Sequence, residues 1–319
     1  MKIIKWGIIS TGNIAHSFAK DFVYSHGGKV HAVASRSLNK AKDFANKFNI
    51  ENAYGSYDEL FNDPEIDIVY IGTPHNFHFL NATEAIKKRK AVLCEKPITT
   101  NPHDCKTLID LSVNSKTFLM EAMWMYYLPP IRKVKQWIDD GRIGNVVQLK
   151  ADFGLKAMYD PSGRVFNPDL AGGALLDIGI YPIALAQLIF EQEPIDISVF
   201  SRKAKTGVDL EEIMLFQYKD DAYANLTATF ACDLPNEAII SGETGYIRIP
   251  DFFKARDCLL YIDNKINEHF TDKRKSVGYN YEIDAVHSDL ASGRNQSEII
   301  PLRTSLLLQE LMEKVKMKF

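Results

Sequence analysis

Cysteine is sparse and scattered in this chain. The 319 residues hold four, Cys94, Cys105, Cys232 and Cys258, and no Cys-x-x-Cys pair. That spacing excludes a disulfide framework or a zinc site and suits buried thiols in a reducing compartment. An excess of positive charge is missing too. The formal net charge is −3, so no basic field points to nucleic acid or an anionic membrane. The densest basic run, Lys87-Lys88-Arg89-Lys90, reads as the solvated last turn of a helix, where cations suit the dipole. No apolar stretch is expected to reach the ~20 residues that cross a bilayer. Residues 1–6 lead into a short apolar run that meets a glycine, without a signal-peptide pattern. The expectation is a soluble, cytoplasmic protein with neither membrane nor nucleic-acid partners. Internal repeats and low-complexity segments are lacking as well.

What is present is ordinary globular material: 46% hydrophobic and 25% charged residues. A chain this long suggests about two domains at ~100–200 residues each. Residues 1–122 alternate short apolar runs with amphipathic stretches. Residues 3–10, 30–35, 66–71, 91–95 and 118–122 read as strands. Residues 13–24, 38–48, 77–88 and 104–115 read as helices; in the first, Ile14, Phe18 and Phe22 recur every four residues. This alternation predicts a doubly wound parallel sheet covered on both faces. The pattern changes after Ala122. Pro129-Pro130 marks a crossing into a second domain, residues 123–319, and a short helix over 131–140 ends at Gly141. Alternating stretches at 146–153, 195–202, 213–218, 222–231 and 237–241 favour a mostly antiparallel sheet. Helices over 281–292 and 303–317 close the chain. The fold class is α/β, a Rossmann domain followed by an α/β domain.

Chemistry is written at strand ends. Ser10-Thr11-Gly12-Asn13-Ile14-Ala15 follows the first strand and opens the first helix. It is a variant of the dinucleotide fingerprint G-x-G-x-x-G/A with Ser10 at the first glycine. A tight turn at Gly12 lets backbone N–H groups approach a pyrophosphate at the positive end of a helix, and Ala15 permits close packing. The second strand ends in Ser35-Arg36-Ser37, with no acid before Asp43 for a ribose 2′-hydroxyl. Arg36 can pair with a 2′-phosphate and stack on adenine, which favours NADP over NAD. Thr73-Pro74-His75 and Glu95-Lys96-Pro97 end two further strands and project into the crevice where an α/β sheet binds ligand. His75 and His78 lack a third ligand, so no metal is expected. The adjacent Glu211 and Glu212 point to opposite faces of a strand and form no carboxylate pair.

These segments together are similar to the glucose–fructose oxidoreductase, inositol dehydrogenase and MocA family. The match rests on the fingerprint, Thr73-Pro74 with His78, Glu95-Lys96-Pro97, Arg164-x-Phe166, and the run from Gly172 to Tyr181. The stretch Phe118-Leu119-Met120-Glu121-Ala122-Met123-Trp124 and the tyrosine at 181 resemble its dihydrodiol dehydrogenase branch. The resemblance implies a large open sheet in the second domain that pairs subunits into a homodimer or higher oligomer. It also implies a cis Lys96–Pro97 peptide that aims Lys96 at substrate. Ser10, Thr11, Gly12, Asn13, Ile14, Ser35, Arg36, Thr73, Pro74, His75, His78, Glu95 and Lys96 are then the cofactor-side residues. Tyr181 is the acid/base. A free phenol titrates near ~10, and a neighbouring ammonium, Lys96, lowers that. Asp177, four residues earlier, shares a face with Tyr181 if the segment is helical, and can orient a substrate hydroxyl or hold Lys96. Trp124, Tyr126, Phe153 and Arg164 are the substrate-side candidates. Many relatives carry histidine at the position of Tyr181, arginine near Tyr126 and histidine near Leu128; the aromatic and apolar residues here imply a less polar pocket. The expected activity is NADP-dependent hydride transfer at a vicinal diol: an aldose, a polyol or a trans-dihydrodiol. An NAD-dependent inositol or sugar-acid dehydrogenase and a non-catalytic nucleotide sensor are the alternatives.

Overall fold

The computed structural model describes residues 3–319; Met1 and Lys2, part of the N-terminal reading above, lie outside the described residues. Contacts divide the chain into two units. One runs to Trp124 and takes back Lys275–Leu306; the other comprises Met125–Arg274 and Leu307–Phe319.

In the first unit, five short apolar runs and one unexpected segment, Asn52–Tyr54, pair as parallel strands. They are β1 (Ile4–Ile9), β2 (Gly28–Ala34), β3 (Asn52–Tyr54), β4 (Ile68–Ile71), β5 (Ala91–Glu95) and β6 (Leu119–Ala122). Their order is β3-β2-β1-β4-β5-β6, so the topological switch falls between β1 and β4. The helices between them are α1 (Asn13–Phe22), α2 (Leu38–Phe48), α3 (Tyr57–Asn62), α4 (His78–Lys87) and α5 (Pro102–Ser115). Helix α3 was not expected from the sequence. Its start signal is a capping box: Ser56 Oγ accepts the Glu59 N–H, and Glu59 reaches back to the Gly55 N–H at 3.2 Å.

Helix α8 (Tyr279–Ala291), expected in the second domain, packs in the first unit. Asp21, 1% exposed at the end of α1, explains the return. Its carboxylate accepts the N–H groups of Val277, Gly278 and Tyr279 at 3.0, 2.7 and 3.1 Å, capping the positive end of α8. Further along, the Trp6 indole N–H donates to His287 Nε2 at 2.8 Å. Nδ1 therefore carries the ring proton and donates to the His26 carbonyl at 2.6 Å. Burial lowers the His287 pKa. A histidine held neutral stabilises the fold above its unfolded pKa of ~6.5, and that contribution is lost as pH falls through the folded value. We expect the wild-type melting temperature to drop from roughly pH 7 to 5 more steeply than that of His287→Gln. Parallel curves would refute the assignment.

The second unit opens on α6 (Pro129–Asp139). Pro129 and Pro130, expected as a crossing segment, are its first residues, where a missing N–H costs nothing. Strands β7 (Val146–Gly154), β8 (Asp196–Lys203), β9 (Asp209–Gln217), β10 (Tyr223–Thr229) and β11 (Ala238–Gly242) match the alternating stretches. Three more, β12 (Gly245–Ile249), β13 (Asp257–Ile262) and β14 (Lys265–Thr271), were not anticipated. The sequence of β14, KINEHFT, is polar and leaves Ile266 56% exposed, so it carries no core-facing alternation. The order is β14-β13-β12-β11-β7-β10-β9-β8; only the central β7–β10 pair is parallel. Helix α7 (Ile180–Phe190) covers the sheet through β7 and β10. It is apolar on every side, so no amphipathic period marked it. The helical run Pro168–Phe190 has mean hydropathy 1.7 and is long and apolar enough to cross a membrane, contrary to the expectation above. Its window is 72% buried inside the protein, as in a core helix. Helix α9 (Leu302–Lys316) ends the fold.

Candidate active site

At the β1–α1 junction a cleft of about 480 Å³ opens beside Ser10, Gly12, Ser35, Arg36 and Pro74. Ser10 adopts φ 95°, a left-handed conformation that favours glycine, which explains why a glycine is usual there. Its hydroxyl offsets the strain by accepting the Gly12 N–H at 3.1 Å. Gly12 caps α1 without a side-chain bond, and no acid lies in the first turn. A Cβ on Gly12 would meet only Ser10 Oγ, at 3.4 Å. Internal packing thus does not demand glycine at 12; close approach of a pyrophosphate to bare backbone does. The residues therefore fit a dinucleotide. Lys40, Lys47 and Tyr57 line the same cleft and were not foreseen. Lys40 stands in the first turn of α2, which begins two residues after Arg36. Asn13 is exposed at the start of α1, and Ile14 packs toward Gly72, so neither borders that cleft.

Two loops at neighbouring strand ends are tied by one ring. His78, wholly buried, sets Nε2 2.8 Å from the Thr73 carbonyl and Nδ1 2.7 Å from the Pro97 carbonyl. Carbonyls only accept, so the ring nitrogen that carries the proton donates to the carbonyl it faces. His78 supports the loops from beneath; His75, also buried, lies 5.7 Å away, ring to ring. Asn81 donates to Thr73 Oγ1 at 3.0 Å. The Lys96–Pro97 peptide is cis. Lys96 is half-buried, and acids surround its strand end. Glu95, 4% exposed, accepts the Tyr70 hydroxyl at 2.6 Å. Glu121 accepts the Ile98 N–H at 2.9 Å; burial pushes its carboxyl up to about 7, while the Lys96 charge pulls it down. Glu282, on α8, is buried, and burial followed by the Glu95 charge raises it well above the usual carboxylate range. Neither Tyr70, on β4, nor Glu282 was foreseen here; Glu282 comes on α8, from the far end of the chain.

In the second unit, Leu175–Gly179 wind as a π-helical turn that runs directly into α7. Asp177 and Tyr181 sit on this continuous segment. Arg164 donates to Asp177 at 2.7 Å. Burial disfavours that guanidinium, but the Asp177 charge and hydrogen bond together outweigh it. Tyr181, 6% exposed, has its ring 5.6 Å from Phe153 and 5.8 Å from Phe253; Phe153 and Phe253 stack at 4.0 Å. Phe253 was missed because an adjacent aromatic pair, Phe252-Phe253, carries no periodic signal. Tyr126 is core: 1% exposed, its hydroxyl donates to the Ala184 carbonyl at 2.7 Å. Trp124 stacks on Tyr279 at 4.8 Å within the first unit. Among the described residues no group of three or more His, Cys, Asp or Glu could hold a metal ion.

Known proteins resemble this chain over nearly its whole length. Residues 4–122 match the model of an oxidoreductase family with an NAD-binding Rossmann fold, and residues 131–248 match the GFO/IDH/MocA C-terminal domain. The chain is 34% identical to mouse (Mus musculus) trans-1,2-dihydrobenzene-1,2-diol dehydrogenase, over 98% of this chain and 96% of that one. It is 33% identical to the human (Homo sapiens) protein of the same name, with the same coverage. Among solved structures, the aldose–aldose oxidoreductase of Caulobacter crescentus, complexed with glycerol, superposes with a TM-score of 0.91 at 20% identity, over 99% of this chain and 97% of that one. A 3-ketoreductase from Actinomadura kijaniata, in complex with NADP and TDP-benzene, gives 0.87 at 24% identity, over 99% and 98%. With its fingerprint turn, its Glu95-Lys96-Pro97 strand end and both domains matched, the chain belongs to the GFO/IDH/MocA family of oxidoreductases.

Proposed function

We propose that the protein is an NADP-dependent dehydrogenase of a vicinal diol, with Tyr181 as acid/base. The nicotinamide, when bound, supplies the hydride acceptor or donor. Tyr181 takes the hydroxyl proton in oxidation and returns it in reduction. Lys96 supplies the ammonium that favours the tyrosinate. Asp177, fixed by Arg164, orients a second substrate hydroxyl. Arg36, Lys40 and Lys47 around one cleft favour a 2′-phosphate, with Asp43 the one acid among its lining residues.

The observation that carries this reading is the grouping in the second unit. A phenol, an ion-paired carboxylate and the stacked Phe153–Phe253 pair stand together. The aromatic pair suits a flat ring, which favours a trans-dihydrodiol over an aldose or polyol. The relatives named trans-1,2-dihydrobenzene-1,2-diol dehydrogenase support that choice. A screen of trans-dihydrodiols, polyols and aldoses with both cofactors, followed at the reduced-nicotinamide absorbance band, tests it. Turnover of a diol with NADP is expected. Tight cofactor binding without turnover of any of these substrates would sink the enzyme reading.

We also propose a homodimer through the outer face of β8–β10. Phe200 and Ile213, directly paired across strands, are 62% and 44% exposed, and Leu215 is 46% exposed. Sedimentation velocity reads this directly; a monomer at every concentration would remove it.

A further inference from the structure

Glu211 and Glu212 part company on β9. Glu211 faces outward and pairs with Arg202 at 2.7 Å, whereas Glu212 is fully buried. Among the described residues no N–H or hydroxyl donor reaches either Glu212 oxygen; its charged neighbours are Asp209, which meets it carboxyl to carboxyl, and Glu211. Residues three apart on a regular strand face opposite sides. Here the register shifts: Arg202 pairs with Glu211 and Lys203 with Asp209, leaving Leu210 as an extra residue on β9. Such a bulge re-aims a side chain. It turns the Asp209 carboxylate toward the segment that precedes α7.

Asp209 meets that segment twice. Its Oδ2 accepts the Leu175 N–H at 2.6 Å, the first residue of the π-helical turn. Its Oδ1 lies where a side chain on Gly173 would begin: a Cβ there would be 2.3 Å away. Gly173 has φ +122°, so the turn needs glycine for conformation as well as for space. Asp177 lies two residues beyond Leu175 and Tyr181 six, on the same continuous helical segment.

We propose that Asp209 and Glu212 are positioning residues: a carboxyl pair, half-buried Asp209 backed by fully buried Glu212, that locks the Gly173 turn and the π-helical turn, and thereby sets Asp177 and Tyr181 for proton transfer. The last clause rests on the reading of Tyr181 as acid/base. Burial, then the Asp209 charge, pushes the Glu212 carboxyl up to about 11, so it is a neutral acid that can donate to Asp209. Ser201, opposite Glu212 in register, also has a buried hydroxyl without a partner among the described residues, so this strand pocket is polar beyond the two acids. A neutral donor is what the pair requires of Glu212; a second carboxylate would repel Asp209.

The test uses the full-length chain in two readouts. Hydrogen–deuterium exchange over residues 173–181 needs no substrate. Asp209→Ala and Glu212→Leu should raise exchange there by about tenfold, while Glu212→Gln, which keeps a neutral donor, should match wild type. In turnover of a trans-dihydrodiol with NADP, Asp209→Ala should lower kcat about tenfold or more with the KM for NADP unchanged, and Asp209→Asn should restore most of it. If Asp209→Ala does not fold, Asp209→Asn and the two Glu212 variants carry the test. Unchanged exchange in Glu212→Leu, or a Glu212→Gln variant as loose as Glu212→Leu, would overturn the brace. Tyr181→Phe, run in parallel, separates the two ideas: retained activity there removes the acid/base reading and leaves the exchange result to decide the brace.

Discussion

Tyr181→Phe is expected to lower kcat by about a thousandfold, ~4 kcal/mol in the barrier, while NADP affinity stays within about twofold of wild type. The substitution removes one oxygen and keeps the ring. The contacts of that ring with Phe153 and Phe253, at 5.6 and 5.8 Å, survive, so the scaffold is not disturbed. The cofactor cleft is built on the other unit, around Ser10, Gly12 and Arg36, and has no part in the change. The loss should fall on kcat, because a proton in flight exists only in the transition state. Single-turnover absorbance at the reduced-nicotinamide band, with cofactor titration by fluorescence, reads both quantities. Activity within a few-fold of wild type would remove Tyr181 from the chemistry.

Arg36→Ala should weaken NADP by about thirtyfold, ~2 kcal/mol, and NAD by no more than about threefold. Arg36 stands exposed at the mouth of the cleft, so its pairing with a 2′-phosphate is partly screened, and NADP affinity should fall with salt more steeply in wild type than in the variant. Lys40 and Lys47 line the same cleft and keep the loss finite. Equal losses for NADP and NAD would show that Arg36 only covers the adenine, and the preference for the phosphorylated cofactor would fall with it.

Much of the first unit was legible before any coordinates. Alternating apolar runs and amphipathic stretches are local patterns, and the hydrophobic effect acts on them locally enough to specify strand or helix. The capping box of α3 is equally local, at Ser56 and Glu59, although α3 itself is only six residues long. The second unit was harder. Helix α7 is apolar all round, and β14 is polar nearly throughout, so neither carries a period to detect. The segment that carries Asp177, helical only conditionally on its sequence, is a π-helical turn whose first N–H, that of Leu175, is held by Asp209, 34 residues later in the chain.

By itself the amino-acid sequence determined a parallel Rossmann sheet, a pyrophosphate turn at Gly12 and a lysine at a strand end. Each of those is a property of contiguous residues. Only the tertiary structure decided that α8 returns to the first unit, because the bond that seats it joins Asp21 to Val277, 256 residues apart. Only the fold showed that His78 binds two loop carbonyls and that a bulge at Leu210 turns Asp209 inward. Hydrogen bonds are short and directional, so their partners are fixed by where the chain brings atoms in space, and sequence spacing carries no measure of that distance.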